Sequence, residues 1–227
     1  MSKNIVQKQR EKYQPNFIKY GDSPEGTYQN NTITQHMRFA NLVRDIAPFL
    51  TSETSVHDIG SGLCDIYPFL NDFFDFKVNY SGTEIVEEMN ELARKKYPEI
   101  ELFNRDIVND KITKKHDFII LSGTLNIPGD VSAADWKNFC FSIIESMFKI
   151  SNCGIAFNFL TTYKTKDNPE LFYLDPKEVF DFCATKLSRF VSINASYPLY
   201  ECSVTVMKKD YMSEVNNHED LKKYFAH

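Results

Sequence analysis

The segment Val56-His57-Asp58-Ile59-Gly60-Ser61-Gly62-Leu63-Cys64-Asp65 constrains the fold most strongly: a short apolar strand, a turn with two glycines, then a helix. Glycine takes backbone dihedrals closed to other residues and lets main chain approach a ligand closely. In open α/β sheets, ligands bind beyond the carboxyl ends of the strands, where this turn would sit. Alone, Gly-x-Gly is weak evidence, because many strand-to-helix turns use glycine.

The rest of the chain keeps the same rhythm. Strands are expected over 56–59, 77–85, 100–103, 118–121 and 154–160, separated by helices over 64–74, 86–97, 135–150 and 176–187. Phe139, Ile143, Met147 and Ile150 mark one apolar helix face, and Asp175 is a candidate cap for the helix that follows it. Such alternation predicts an α/β, doubly wound, mostly parallel sheet. Segments 190–195 and 202–207 have no helix between them, so a closing hairpin should add one antiparallel strand at the sheet edge. Residues 1–19 read as irregular or loosely helical, and Tyr20–Thr27 as a loop dense in turn formers. A helix should start near Thr32 or Thr34 and pack through Phe39, Leu42, Val43 and Ile46. Three regions follow: an N-terminal extension and helix over 1–50 that covers the site, a ligand-binding core over 51–210, and a polar tail over 211–227.

Composition narrows the function classes. The 227 residues carry a net charge of −5, without the basic stripe a duplex binder needs, so nucleic-acid partners are not expected. The five cysteines include no Cys-x-x-Cys pair, which argues against zinc or dithiol redox chemistry, so no metal is expected. No apolar run is long enough to span a bilayer and no secretion signal is evident; a cytoplasmic protein with reduced thiols is expected.

The second strand ends Tyr80-Ser81-Gly82-Thr83-Glu84. A carboxylate there is placed to accept hydrogen bonds from both ribose hydroxyls of a nucleoside; the alternative is a surface Glu capping the next helix. After the third strand, Asp106 is placed either to accept from an adenine amino group or to begin a turn. The fourth strand ends in Ser122-Gly123, small residues that leave backbone open to a ligand.

Taken in order, these motifs resemble class I S-adenosylmethionine (SAM)-dependent methyltransferases over roughly residues 34–209. That family's Asp-x-Gly-x-Gly-x-Gly is matched by Asp58, Gly60 and Gly62, with Ser61 inside the turn, its ribose acid by Glu84 and its adenine-contacting Asp by Asp106. The third glycine is Cys64 here, a departure that also weakens a nicotinamide reading. The resemblance implies a Rossmann-like sheet, SAM as cofactor, and Ser122 and Gly123 as cofactor contacts.

Tyr20-Gly21-Asp22-Ser23-Pro24 and Gln35-His36-Met37-Arg38-Phe39 resemble a bacterial small-molecule subgroup. The likeness implies that Arg38 pairs with the cofactor's carboxylate; the alternative is a surface Arg. His36 is the first candidate for a catalytic base, against a bland exposed histidine. Tyr20, Asn126, Trp136, Asn158, Tyr163 and Tyr173 are candidate acceptor-lining residues, each with ordinary packing as its alternative. The loop after the fourth strand lacks the Pro-Pro-aromatic and Pro-Cys motifs of DNA methylation. A small-molecule acceptor is therefore expected, with O-methylation of a sugar or specialised metabolite by a monomer or homodimer. Rival readings are a nucleotide-dependent oxidoreductase, a non-catalytic SAM-binding module and RNA methylation.

Overall fold

A computed structural model describes residues 2–28 and 31–225. Its centre is a seven-stranded sheet. The strands are β1 (Ser55–Ile59), β2 (Asn79–Glu84), β3 (Glu101–Asn104), β4 (His116–Leu121), β5 (Ser151–Leu160), β6 (Val191–Asn194) and β7 (Glu201–Met207), in the order β3-β2-β1-β4-β5-β7-β6. The first five are parallel; β7 runs antiparallel to both β5 and β6. The antiparallel strand is therefore inserted inside the sheet, and β6 forms the edge, which corrects the expected edge position. Burial explains the order. All seven residues of β7 are buried, whereas Val-Ser-Ile-Asn in β6 is half-buried and tolerates an edge.

Side chains alternate across the sheet, so β4 feeds two cores. Phe118 and Ile120 join Val56, Leu42, Leu70 and Ala156 on one face. That face is covered by α3 (Thr32–Val43), α4 (Ile66–Phe73) and α5 (Glu87–Lys96). Ile119 and Leu121 join Ile155, Phe157 and Val204 on the other face, under α6 (Ala133–Ile150) and α7 (Pro176–Phe182). Asp175 caps α7 as expected, its Oδ1 accepting from Lys177 N at 2.9 Å. A π turn over 183–187 then ends what the sequence presented as one helix. α3 begins at Thr32, but its cap is Asn31, which accepts from Thr34 N at 3.0 Å. The tail carries α8 (Lys209–Val215) and a 3₁₀ turn, Glu219–Tyr224; residues 226 and 227 of the expected tail lie outside the described residues.

The N-terminus departs most from expectation. Residues Ser2–Tyr20 form one 19-residue helix, α1, followed by the short α2 (Pro24–Thr27). Its amphipathic pattern is weak; only Ile5, Val6, Gln9 and Phe17 are buried. Tertiary bonds fix it instead. Lys8 donates to Asp130 O, Gln9 to Pro128 O and Arg10 to Ile85 O, each at 3.1 Å. α1 thereby lies across the carboxyl ends of β2 and β4.

The β3-to-β4 crossover carries no helix. The sheet face it leaves is polar: buried His57 bonds Ser81 Oγ through Nδ1 at 2.7 Å and Thr83 Oγ1 through Nε2 at 2.8 Å, and stacks on His116 at 4.3 Å.

Candidate active site

The carboxyl ends of β1, β2, β3 and β4 open into one cavity of about 310 Å³. Its floor is the turn after β1. Gly60 and Gly62 both take left-handed φ, +68° and +52°, which favours glycine. A Cβ on Gly60 would stand 2.3 Å from Thr124 Oγ1, so that glycine is needed for close packing against the β4 loop. Beyond Gly62 and Gly123 the space is open. Cys64, where the third glycine would stand, takes φ +62° and is fully buried. Its thiol is pushed up to about 12 by burial and by Asp58, so it stays protonated.

Glu84 closes β2 inside the cavity wall, buried rather than on the surface. Its Oε2 accepts from Gly62 N at 3.0 Å and its Oε1 from Ile85 N and Val86 N at 2.7 and 3.0 Å. Burial raises its pKa, opposed by those three backbone bonds and by Arg10. One residue thus ties the glycine turn to the start of the next helix. Asp58 is held by the Tyr80 hydroxyl at 2.8 Å, and burial pushes it up to about 7 against that bond. Asp106 begins a turn: Oδ1 accepts from Val108 N and Asn109 N at 2.9 and 3.1 Å, and Oδ2 from Asn109 Nδ2 at 2.5 Å. It also lines the cavity, so both readings of Asp106 describe one residue. Asp65 lines it too, accepting from Gln35 Nε2 at 3.2 Å.

At the other end the wall is built from distant segments. Arg38 on α3 meets Glu201, the first residue of β7. Its Nε donates to both carboxylate oxygens at 3.0 and 2.9 Å and its Nη2 to Oε1 at 2.5 Å. Burial pulls the guanidinium pKa down, but the Glu201 bonds more than offset this and leave it raised. The Arg38 side chain is 13% exposed, so the surface-Arg alternative does not hold. Glu201 went unmarked in the sequence; its only signal was a charge at the head of an apolar run. The roof residues Gln9, Tyr13 and Tyr28 also went unmarked, since nothing in a weakly patterned helix points to a cavity.

The structure separates the acceptor candidates. Asn126 lines the cavity. Its backbone carbonyl accepts from Phe172 N at 2.8 Å, bringing the loop after β5 over the wall. Trp136 is 1% exposed and donates from Nε1 to Leu125 O at 3.0 Å, so it is chiefly a core residue that backs the wall. Asn158 stands behind the wall, accepting from Gly123 N at 2.7 Å. Tyr163 and Tyr20 are 63% and 45% exposed and do not line the cavity, and neither does Tyr173. His36 is corrected as well. It is exposed, packs its ring on Phe69 at 5.2 Å and lies outside the cavity. Among the described residues no histidine lines the cavity.

Three buried polar atoms on this wall, Asp58 Oδ1, Ser61 Oγ and Asn126 Oδ1, have no hydrogen-bond partner. Buried polar atoms are normally satisfied, so a polar ligand fits here. The open glycine backbone, the acid at the end of β2 and the distant Arg38 together match an extended adenosyl amino acid such as SAM.

No family model matches the chain. A curated relative, Putative methyltransferase Rv1506c of Mycobacterium tuberculosis, is 29% identical over 160 residues, covering 68% of this chain and 93% of that protein. Among solved structures, the SAM-bound magnesium protoporphyrin IX methyltransferase of Synechocystis PCC 6803 superposes with a TM-score of 0.64 at 12% identity, covering 89% of this chain and 96% of that one. The SAM-bound amino pentose methyltransferase CalS10 of Micromonospora echinaspora gives 0.53 at 12% identity, covering 80% and 93%. In fold and in sequence the chain is thus similar to SAM-dependent methyltransferases.

Proposed function

We propose that this chain transfers the SAM methyl group to a hydroxyl of a small molecule, a sugar or a specialised metabolite. One observation carries the reading: four successive strand ends open into a single cavity that α1 and α2 roof. SAM, when bound, supplies an electrophilic sulfonium methyl. The chain's part is to bind, orient and exclude water. Glu84 keeps one acceptor site for a ribose hydroxyl, on Oε2, because each carboxylate oxygen has two lone pairs and Ile85 N and Val86 N take both of Oε1's. Asp106 Oδ2 likewise has a site left for the adenine amino group. Ser61, Ser122 and Gly123 would flank the cofactor's middle, and Arg38 would pair with its carboxylate.

The unpartnered Asn126 Oδ1 calls for a hydrogen-bond donor, which suits a hydroxyl-bearing acceptor. With no imidazole among the described wall residues, holding the acceptor in line is the main lever these residues offer. The roof supports a small acceptor: Tyr13 and Tyr28 pack edge to face at 5.1 Å above the cleft. Small-molecule methyltransferases such as CalS10 share the fold, which fits the same reading.

The test is incubation with labelled SAM and fractionated cell metabolites, followed by mass detection. A methylated hydroxyl compound is the expected product. Stabilisation by SAM without label in any fraction would make the chain a non-catalytic binder. Stabilisation by NAD(P) instead of SAM would make it an oxidoreductase.

A further inference from the structure

We propose that Glu201 is a positioning residue: it sets the orientation in which Arg38 meets the cofactor's carboxylate, and Asn158 locks that pair to the Gly123 turn. This rests on the reading that the cleft binds SAM.

Two cations line the cavity among the described residues, Arg105 and Arg38. Arg105 is committed at the β3 end. Its Nε donates to Thr83 Oγ1 at 3.1 Å, its Nη2 lies 3.2 Å from His57 Nε2, and the guanidinium sits 4.0 Å above the Phe103 ring. That end also holds Glu84 and Asp106, the adenosine side. A ligand with its carboxylate at the opposite end meets Arg38.

A long arginine side chain loses up to about 2 kcal/mol of rotamer freedom when ordered. A bidentate carboxylate fixes its planar fork before the ligand arrives. Glu201 is 3% exposed and holds Arg38 in this way. Asn158, wholly buried, closes the circuit: Nδ2 donates to Glu201 Oε2 at 3.2 Å and Oδ1 accepts from Gly123 N at 2.7 Å. Tyr197 flanks the pair, its hydroxyl 3.0 Å from Ser203 Oγ. Segments more than a hundred residues apart are thus joined at the seam between cofactor and acceptor. A buried ion pair is a weak source of stability, and apolar residues of similar size often do as well. The placement of this one on the cavity wall gives it a different use.

Calorimetry with two probes tests the proposal. S-adenosylhomocysteine carries the amino-acid carboxylate; 5′-methylthioadenosine has the same adenosine and sulfur without it. In Glu201→Gln, S-adenosylhomocysteine affinity should fall about tenfold, the equivalent of one charge-assisted bond, while 5′-methylthioadenosine affinity holds. The KM for SAM should rise more than kcat falls. Glu201→Asp, which keeps the charge, should recover part of the loss. If Glu201→Gln does not fold, Asn158→Ser tests the circuit with the ion pair intact and should show a smaller loss, again confined to S-adenosylhomocysteine. Equal weakening of both probes, or unchanged affinity in a folded variant, would overturn the proposal. A wild-type protein that binds neither probe sinks the cofactor reading itself, a result distinct from either of those.

Discussion

The two ends of the cavity are built in different ways. At the end that holds Glu84 and Asp106 the carboxylates are held largely by near neighbours in sequence: Glu84 by Ile85 and Val86 besides the more distant Gly62, Asp106 by Val108 and Asn109. At the Arg38 end the partners come from remote segments: Arg38 is held by Glu201, Glu201 by Asn158, and the Asn126 backbone carbonyl by Phe172 N, with Asn126 Oδ1 unpartnered. The first end is preset by local backbone turns. The second depends on the whole sheet being assembled, and on α3 and the loop after β5 docking onto it.

Substitutions can break or sharpen that contrast. The largest effect is expected at Gly60, where a side chain would meet both the φ of +68° and Thr124. Gly60→Val should cost about 3 kcal/mol in urea unfolding. Gly62→Ala, with open space beyond it, should cost only about 1 kcal/mol of backbone strain. Equal losses would mean that the tight fit at Gly60 is not what holds the turn.

Glu84→Ala strands three backbone N–H groups and should cost about 2–3 kcal/mol, with SAM affinity falling at least about tenfold by calorimetry. A folded variant with wild-type affinity would remove Glu84 from the site. Trp136→Phe loses the bond to Leu125 O and some volume, so about 1.5 kcal/mol in denaturant with acceptor turnover kept. A selective loss of turnover would return Trp136 to the acceptor pocket.

The polar face under the β3-to-β4 crossover should show in pH. Burial, with His116, Arg105 and Lys114 nearby, holds His57 down at about 2. Burial, with Lys114 and Arg105, holds His116 down at about 4. Each folded-state value lies below the ordinary 6.5, so the stability they contribute is present above pH 6.5 and drains away as pH falls. For His116 the window is 6.5 to about 4. His116→Phe should flatten the melting-temperature profile there by about 3 °C, roughly 1 kcal/mol for a chain of this size. An unchanged profile would mean other groups titrate in that window. His36→Ala should be the smallest effect, within about 0.5 kcal/mol and with turnover intact. Lost turnover in the folded variant would restore His36 as a base.

How much the sequence disclosed follows the same divide. The glycine turn, the acid closing β2 and the alternation of strands and helices were legible, because each is a short pattern whose physics acts within a few residues. Helix α3 starts at Thr32, as the pattern reads, whereas its cap, Asn31, is fixed by side-chain geometry that the pattern does not carry. His36 and Arg38 stand two apart on that helix and therefore face nearly opposite ways, yet spacing alone does not say which of them faces the sheet. The structure turns Arg38 inward to Glu201 and His36 outward to Phe69. Helix α1 had no strong period to read; its bonds to Asp130, Pro128 and Ile85 are contributed by other elements. The sequence by itself determined the layered α/β plan and the bend that faces the cofactor, since local dihedrals and periodic burial suffice for both. Only the tertiary structure decided where β7 inserts, what roofs the cavity and which acid meets Arg38, since those contacts join segments that touch only once the chain has folded.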